Sequence, residues 1–276
     1  MDIIDAQLHL SLSPGADGII AAMDALGIAS VVLDEVWGRN ENDHATPCVE
    51  FADGAYRPLS PCAQTAALLH PERFSFVQRI TRRDPQLPAL IPILASSPGC
   101  RSLRVVIGSR QEREAFATGA YDDLLGLAQA HGLPISVLSK DLGALLRDAV
   151  PRFPDLQFVI DHCGWGKTDQ EWGEVLALAR HANTCLKWSH ASRAFGRSDK
   201  PGESIQRAFM EAIDAFGVER MLWASDASHE ESAATWGQLL AFVRDNPALL
   251  QGDKEWVLGK TARRVFRWDS VTAQVF

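Results

Sequence analysis

Several side chains able to do chemistry stand where short apolar runs of this sequence end. Gln7-Leu8-His9 closes the first run, Asp161-His162-Cys163-Gly164 a later one, and Trp223-Ala224-Ser225-Asp226 the last. Imidazoles and carboxylates pass protons, orient water or hold cations. Arg104 and Lys187 lie inside two further runs, and His190 follows the second of them. A guanidinium offers a planar fork that suits a carboxylate, and an ammonium a compact second charge. Side chains alternate along a strand, so Gln7 and His9 face one way and Leu8 the other. Each residue also has a purely structural reading. Asp226 could cap a helix, Arg104 could be an ion-pair partner inside the fold, and Lys187 could snorkel outward. The functional reading rests on His9, His162 and Asp226 all falling at strand ends.

The elements that must position them follow one rhythm. Strand-like runs at 3–10, 28–33, 74–80, 102–107, 133–138, 156–161, 184–189 and 220–225 alternate with helical patterns. Helices are expected at 18–26 with Asp17 as N-cap, 61–69, 121–130, 142–149, 171–181, 203–216 and 232–243, and an apolar stretch fills 87–94. Such alternation implies parallel strands joined by right-handed crossovers. Eight βα units in 276 residues fit one closed (β/α)8 TIM barrel, with no linker and no repeat. No Gly-rich nucleotide fingerprint follows the first strand, and GxxxxGK[ST] is absent. In such a barrel the reacting groups sit at the carboxyl ends of the strands, where His9, His162 and Asp226 fall. The polar stretch 35–60 reads equally as a lid, with Trp37, Arg39, Asn42, Asp43, His44 and Tyr56 as contacts, or as a solvated excursion over the barrel mouth. Trp165, Trp188, Trp223 and Trp236 either line the site or fill the core.

Composition narrows the partners. Acidic residues outnumber basic ones 35 to 27, a net charge of −8, so the chain lacks the basic field that nucleic acid or anionic lipid requires. No apolar run approaches a membrane span, and an acid at position 2 stands where a signal peptide needs a basic region. The five cysteines are scattered and contain no CxxC, which points to reduced thiols and a cytoplasmic location.

Five segments, taken in order, resemble the amidohydrolase superfamily, in particular its lactonase-like amidohydrolase 2 branch. They are Ile4-Asp5-Ala6-Gln7-Leu8-His9, Phe153-Pro154-Asp155 leading to Ile160-Asp161-His162-Cys163-Gly164, Leu186-Lys187-Trp188-Ser189, Arg220-Met221-Leu222-Trp223-Ala224-Ser225-Asp226 and a terminal-helix pattern from Leu258 to Phe266. The superfamily opens with HxH and completes a metal site with later imidazoles and a last-strand Asp. Here Gln7 replaces the first His, strand five offers no His, and strand four has no bridging lysine. The resemblance therefore implies one divalent ion, zinc by ligand type, on His9, His162 and Asp226, with Gln7 as a weak fourth oxygen ligand, or no metal at all.

The implied reaction is hydrolysis of a small carboxylated lactone. Asp226 would take a proton from water as general base, His162 and His9 would polarise the carbonyl, and Gln7, Arg104 and Lys187 would bind the substrate. Two other readings use the same residues: a decarboxylase or hydratase of an unsaturated or aromatic acid, and a non-catalytic barrel that binds a small acid. The expected partner is a small molecule, and the expected assembly a monomer or homodimer. The places of His44, His190 and His229 depend on loop paths.

Overall fold

The computed structural model describes residues 1–10, 15–35, 48–196, 198–229, 232 and 234–268, apart from the Asp53 side chain. Strands β1 (Ile4–Leu10), β2 (Ser30–Glu35), β3 (Cys48–Glu50), β4 (Tyr56–Pro58), β5 (Phe74–Arg79) and β6 (Cys100–Ile107) come first. They are followed by β7 (Ile135–Ser139), β8 (Phe158–Ile160), β9 (Thr184–Trp188) and β10 (Met221–Trp223). All but β3 and β4 join one parallel sheet in the order β1-β2-β5-β6-β7-β8-β9-β10, wrapped into a nearly closed barrel. Helices on the outside join successive strands, so this is the single (β/α)8 barrel that the strand rhythm implies.

The inside of the barrel has two layers. Ile4, Ala6, Val32, Val77, Val159, Cys185, Leu222 and Ala224 form an apolar layer with Ala262 and Val265 of the terminal helix and with Phe266 and Trp268 just after it. That helix plugs the end at which the strands begin: Arg263 pairs with Asp2 at 2.9 Å and Trp268 Nε1 donates to Pro71 O at 3.3 Å. Gly259 is needed there, because a Cβ would meet Asp2 O at 1.9 Å. Towards the carboxyl ends the lining becomes polar. A bulge between Asp5 and Leu8 makes the switch in β1, shifting parity so that Ala6 lies in the apolar layer while Gln7 and His9 face the polar one.

The sheet does not close by a ladder between β10 and β1 among the described residues. The Asp5 carboxylate spans that seam. It accepts from Ser225 N at 2.8 Å, Trp236 Nε1 at 2.7 Å, Gln7 N at 3.1 Å and the Ser225 hydroxyl. One backbone bond, Asp226 N to Gln7 O at 2.9 Å, completes the junction. The seam thus holds two site residues, Gln7 and Asp226, beside each other.

Local differences from expectation have local causes. The first helix begins at Gly15, so Asp17 lies inside its first turn, where an acid suits the helix dipole, rather than at the cap. Arg110–Ala117 is a further helix, with Phe116 its sole buried side chain; Ser109 marks its start by accepting from Glu112 N at 3.1 Å. The apolar stretch 87–94 is helical within Leu87–Ser96 despite Pro92, and the segment expected at 232–243 begins its helix at Trp236, capped by Thr235. The stretch 35–60 carries the β3–β4 hairpin, so it is not structureless; Trp37, Arg39, Asn42, Asp43 and His44 lie outside the described residues. Glu35 accepts from Ala63 N at 2.8 Å and so serves the start of the helix Pro61–Leu69, which its own N-cap Ser60 leaves uncapped.

Burial raises the Asp5 carboxyl to about 6 against the pull of its donors. A folded value above the unfolded one of about 3.9 contributes stability that is complete below that pH and lost as pH rises through the folded value. Asp5→Ala should therefore abolish a fall in stability between about pH 4 and pH 6 and, by orphaning the buried donors, cost about 2–3 kcal/mol below that window. Urea unfolding across that range tests both; an unchanged pH slope would show that Asp5 does not govern the seam.

Candidate active site

Three carboxylates and three cations fill the polar layer. Asp34 is the penultimate residue of β2, Asp161 follows β8 and Asp226 follows β10; Arg79 ends β5, Arg104 lies in β6 and Lys187 in β9. Arg79 grips Asp34 with both Nε and Nη2 at 2.9 Å. Arg104 bridges two strands, with Nη1 on Asp34 and Nε on Asp161 at 2.7 Å. Lys187 Nζ lies 2.8 Å from Asp161 and donates to Gln7 Oε1 at 2.8 Å. Gln7 Nε2 then donates to Asp226 Oδ2 at 3.3 Å. With neutral imidazoles the set carries no net charge, which is how buried charges are tolerated.

Titration follows from this pairing. Burial works to raise Asp34, but Arg79 and Arg104 outweigh it and hold the carboxyl far below the usual carboxylate range. Asp161 is treated alike by burial on one side and Lys187 and Arg104 on the other. Burial also opposes the Asp226 charge, yet His9, His190 and His162 hold it well below the ordinary value. His162 moves the other way: burial drives it well below 6.5 despite the carboxylates of Asp226 and Asp161. Its tautomer follows from its partners. Arg104 Nη2, a donor only, lies 3.2 Å from Nε2, so Nε2 accepts and Nδ1–H donates to Ser189 Oγ at 2.8 Å.

Imidazoles surround Asp226. His9 Nε2 is 3.1 Å from Oδ1, while His190 Nε2 at 2.9 Å and His162 Nε2 at 3.6 Å approach Oδ2. Asp226 (φ 46°), His162 (φ 51°) and His190 (φ 52°) all sit in the left-handed region. Such backbone costs non-glycine residues about 1–3 kcal/mol each and clusters at functional sites. Three neighbouring barrel loops share this strain, and each uses it to turn an acid or imidazole into the mouth.

The residues singled out in the sequence thus meet at one mouth of the barrel, with these contacts. Arg104 has its fork committed to Asp34 and Asp161, which is its structural reading, and Lys187 is buried on Asp161 and Gln7 rather than snorkelling. Gln7 Oε1 faces Lys187, not a metal position. His9, His162 and Asp226 do not form one donor group. Among the described residues the groups whose ligand atoms lie within 4.8 Å are His9–Asp226–His229 and His162–His190–Asp226, which share Asp226. Of the tryptophans, Trp165 packs 5.2 Å from the His162 ring; Trp188 and Trp223 are buried in the core, and Trp236 ties the seam. Asp34 and Arg79 went unassigned in the sequence, although both stand at strand ends. Beside the site, Tyr56, Arg79, Arg82, Arg83, Arg104, Glu112 and neighbours line a cavity of about 150 Å³.

The profile of the amidohydrolase family Amidohydro_2 matches residues 4–268. The chain belongs to this enzyme family. No curated protein matches this amidohydrolase. Among solved structures it resembles an amidohydrolase from Burkholderia multivorans with bound HEPES, at TM-score 0.77 and 16% identity over 98% of this chain and 100% of that one. The same Burkholderia protein is also solved with zinc bound, at TM-score 0.76 and 16% identity over 98% and 100%. A Pseudomonas putida protein assigned as a 2-pyrone-4,6-dicarboxylic acid hydrolase gives TM-score 0.71 and 18% identity over 97% and 98%. The 5-carboxyvanillate decarboxylase of Sphingomonas paucimobilis gives 0.64 and 15% over 97% and 99%. Identities this low show the shared fold. Among the described residues no helix is long and apolar enough to cross a membrane.

The fit of a divalent ion differs between the two donor groups. In the group of His162, the Nε2 lone pair already accepts from the Arg104 guanidinium. In the group of His9, Nε2 and Asp226 Oδ1 face each other at 3.1 Å, and neither is committed to a guanidinium or ammonium among the described residues. Two imidazoles, a carboxylate and an open position suit a catalytic divalent ion, so the second set fits.

Arg104 is the keystone of the charged layer. Arg104→Leu should cost about 3–5 kcal/mol in urea unfolding at neutral pH, because it leaves Asp34 and Asp161 under-paired in the barrel. The native carboxyls lie below their unfolded value, so their stabilisation is present above about pH 4 and lost as pH falls further. The gap between variant and wild type should accordingly narrow on acidification. A cost under about 1 kcal/mol would contradict the network.

Proposed function

We propose that this amidohydrolase opens a small carboxylated lactone by attack of water, with Asp226 as general base. The observation that carries this is the state of Asp226: buried, held ionised, with Oδ2 fixed by Gln7 and His190 and Oδ1 facing only the His9 imidazole at 3.1 Å among the described residues. A water above Oδ1 loses its proton there as its oxygen attacks the ester carbonyl. The ring C–O bond then breaks, and its oxygen takes the proton held on Asp226 and leaves as the alcohol end of the opened acid, which returns Asp226 to its ionised form.

The surrounding groups have separable tasks. His9, buried beside Asp226, polarises the carbonyl and stabilises the developing oxyanion, a use of preorganised groups in a buried site, while the Arg104 guanidinium holds the charged layer behind it. His162, neutral and held by Ser189, steadies that guanidinium at the mouth. Lys187 acts through Gln7 to fix the Asp226 carboxylate. The adjoining cavity, into which Arg79, Arg82, Arg83 and Arg104 project beside Glu112, has the charge to receive a substrate carboxylate. A divalent ion on His9, Asp226 and His229 would add Lewis-acid polarisation of the carbonyl. The likeness to a protein assigned as a pyrone-dicarboxylate hydrolase agrees with this substrate class.

Purified protein assayed for acid release against aldonic, uronic and pyrone-dicarboxylate lactones tests the proposal. Asp226→Asn should keep the fold and lose at least ~10²-fold in kcat/KM, the usual worth of a general base. Because Asp226 is held ionised and His162 neutral well below their ordinary values, neither group should add an inflection to the wild-type kcat/KM profile at its ordinary value. Wild-type-like turnover by Asp226→Asn would overturn the assignment. Release of CO₂ in place of acid would make the protein a decarboxylase, a reaction carried by one of the similar folds.

A further inference from the structure

We propose that His229 completes a divalent-cation site with His9 and Asp226, taking the coordination role that the Gln7 and His162 positions do not fill. Gln7 is excluded by its own hydrogen bonds. Its neighbours are a donor only, Lys187, and an acceptor only, Asp226, so a single orientation of the amide satisfies both. That orientation turns Oε1 to an ammonium, where a cation would be repelled. His162 is excluded because its Nε2 lone pair accepts from Arg104, and a cation there would displace or face a guanidinium.

The third group is built rather than incidental. The turn after β10 is closed by His229 N donating to Asp226 O at 2.8 Å. It is pinned to β1 twice, by Asp226 N on Gln7 O at 2.9 Å and by His9 N on Ser228 Oγ at 2.9 Å. The His229 ring is thereby set edge-on to His9, with centroids 4.1 Å apart. The donor atoms of His9, Asp226 and His229 all lie within 4.8 Å of one another. His9 Nε2 and Asp226 Oδ1 are 3.1 Å apart, close to the ~3.3 Å between two ligands on a tetrahedral zinc with bonds of about 2.0 Å.

The outer groups agree. The other His9 nitrogen, Nδ1, lies 3.6 Å from Asp34 Oδ2, the carboxylate–imidazole arrangement that steadies metal-bound histidines. Asp226 divides its oxygens: Oδ2 meets Gln7 and His190, and Oδ1 faces His9 Nε2, the other proposed ligand, with no further partner among the described residues. A carboxylate oxygen has two lone pairs, so an ion on one leaves the other for a water proton. His9 and Asp226 are buried and His229 half-buried, which leaves the open side of the site towards the mouth.

The inference deepens the proposed reaction site, but its readout is metal binding rather than turnover. Full-length protein stripped with chelator would be titrated with zinc by calorimetry, and the zinc-loaded form studied by X-ray absorption. One zinc per chain is expected, with two imidazoles in its shell. His229→Ala should weaken zinc at least ~10²-fold and remove one imidazole from any residual shell, and His229→Gln, with a weak amide donor, should fall between. His190→Ala removes a partner of Asp226 Oδ2 but no ligand, so it should weaken zinc less than His229→Ala does and leave both imidazoles in the shell. Unfolding midpoints confirm that the variants remain folded. No zinc uptake by folded wild type at ~100 µM, or loss with His190→Ala but not with His229→Ala, overturns the site. Zinc binding of the expected kind without turnover of any lactone would overturn the lactonase reading alone, and chelator-resistant turnover without zinc binding would overturn this site alone.

Discussion

The Arg104 guanidinium is the contact on which the interior of this barrel depends. Placed in β6 with its side chain fully buried, it joins Asp34 of β2 to Asp161 after β8 and lends its last nitrogen to His162. Burying six charges is costly unless each is paired and hydrogen-bonded. The pairing here runs as a chain from Arg79 through Asp34, Arg104, Asp161, Lys187 and Gln7 to Asp226. Replacing such a network with apolar groups often leaves a protein no less stable. Its evident product here is chemical state: an ionised Asp226 and a neutral His162 at the same mouth.

The seam complements this network. Where β10 and β1 lack a ladder, Asp5 gathers donors from both sides, and the turn that follows carries Asp226 and His229 against β1. A closed ladder would fix backbone alone; a carboxylate seam leaves β1 free to bulge, so that Gln7 and His9 both reach the interior. Strain at Asp226, His162 and His190 fits the same division, with rigid strands below and bent loop starts above.

Much of this was legible in the residues. Runs of β-branched and apolar residues, alternating with helical patterns, marked all eight barrel strands to within a few residues, because strands buried on both faces are continuously apolar. The rule that chemistry lies at strand ends brought Gln7, His9, Arg104, His162, Lys187, His190 and Asp226 into view. What spacing could not show was who pairs with whom. Arg104 and a substrate carboxylate look alike on paper to Arg104 and Asp34, and only the three-dimensional neighbourhood of β2 and β6 across the barrel decides. The division of His9 and His162 into separate donor groups was hidden likewise, since it depends on loop turns after β8 and β10. The helix Arg110–Ala117 escaped because it buries too little apolar surface to leave a pattern.

The most direct test of the account is the protonation state of His162, observed by ¹⁵N–¹H NMR of histidine-labelled protein across a pH titration. The ring should remain neutral from about pH 8 to about pH 5 and carry its proton on Nδ1, because Arg104 donates to Nε2 and burial opposes the charge. A His162 that titrates near its ordinary value of about 6.5, or that carries its proton on Nε2, would contradict the Arg104-centred network and the roles built on it.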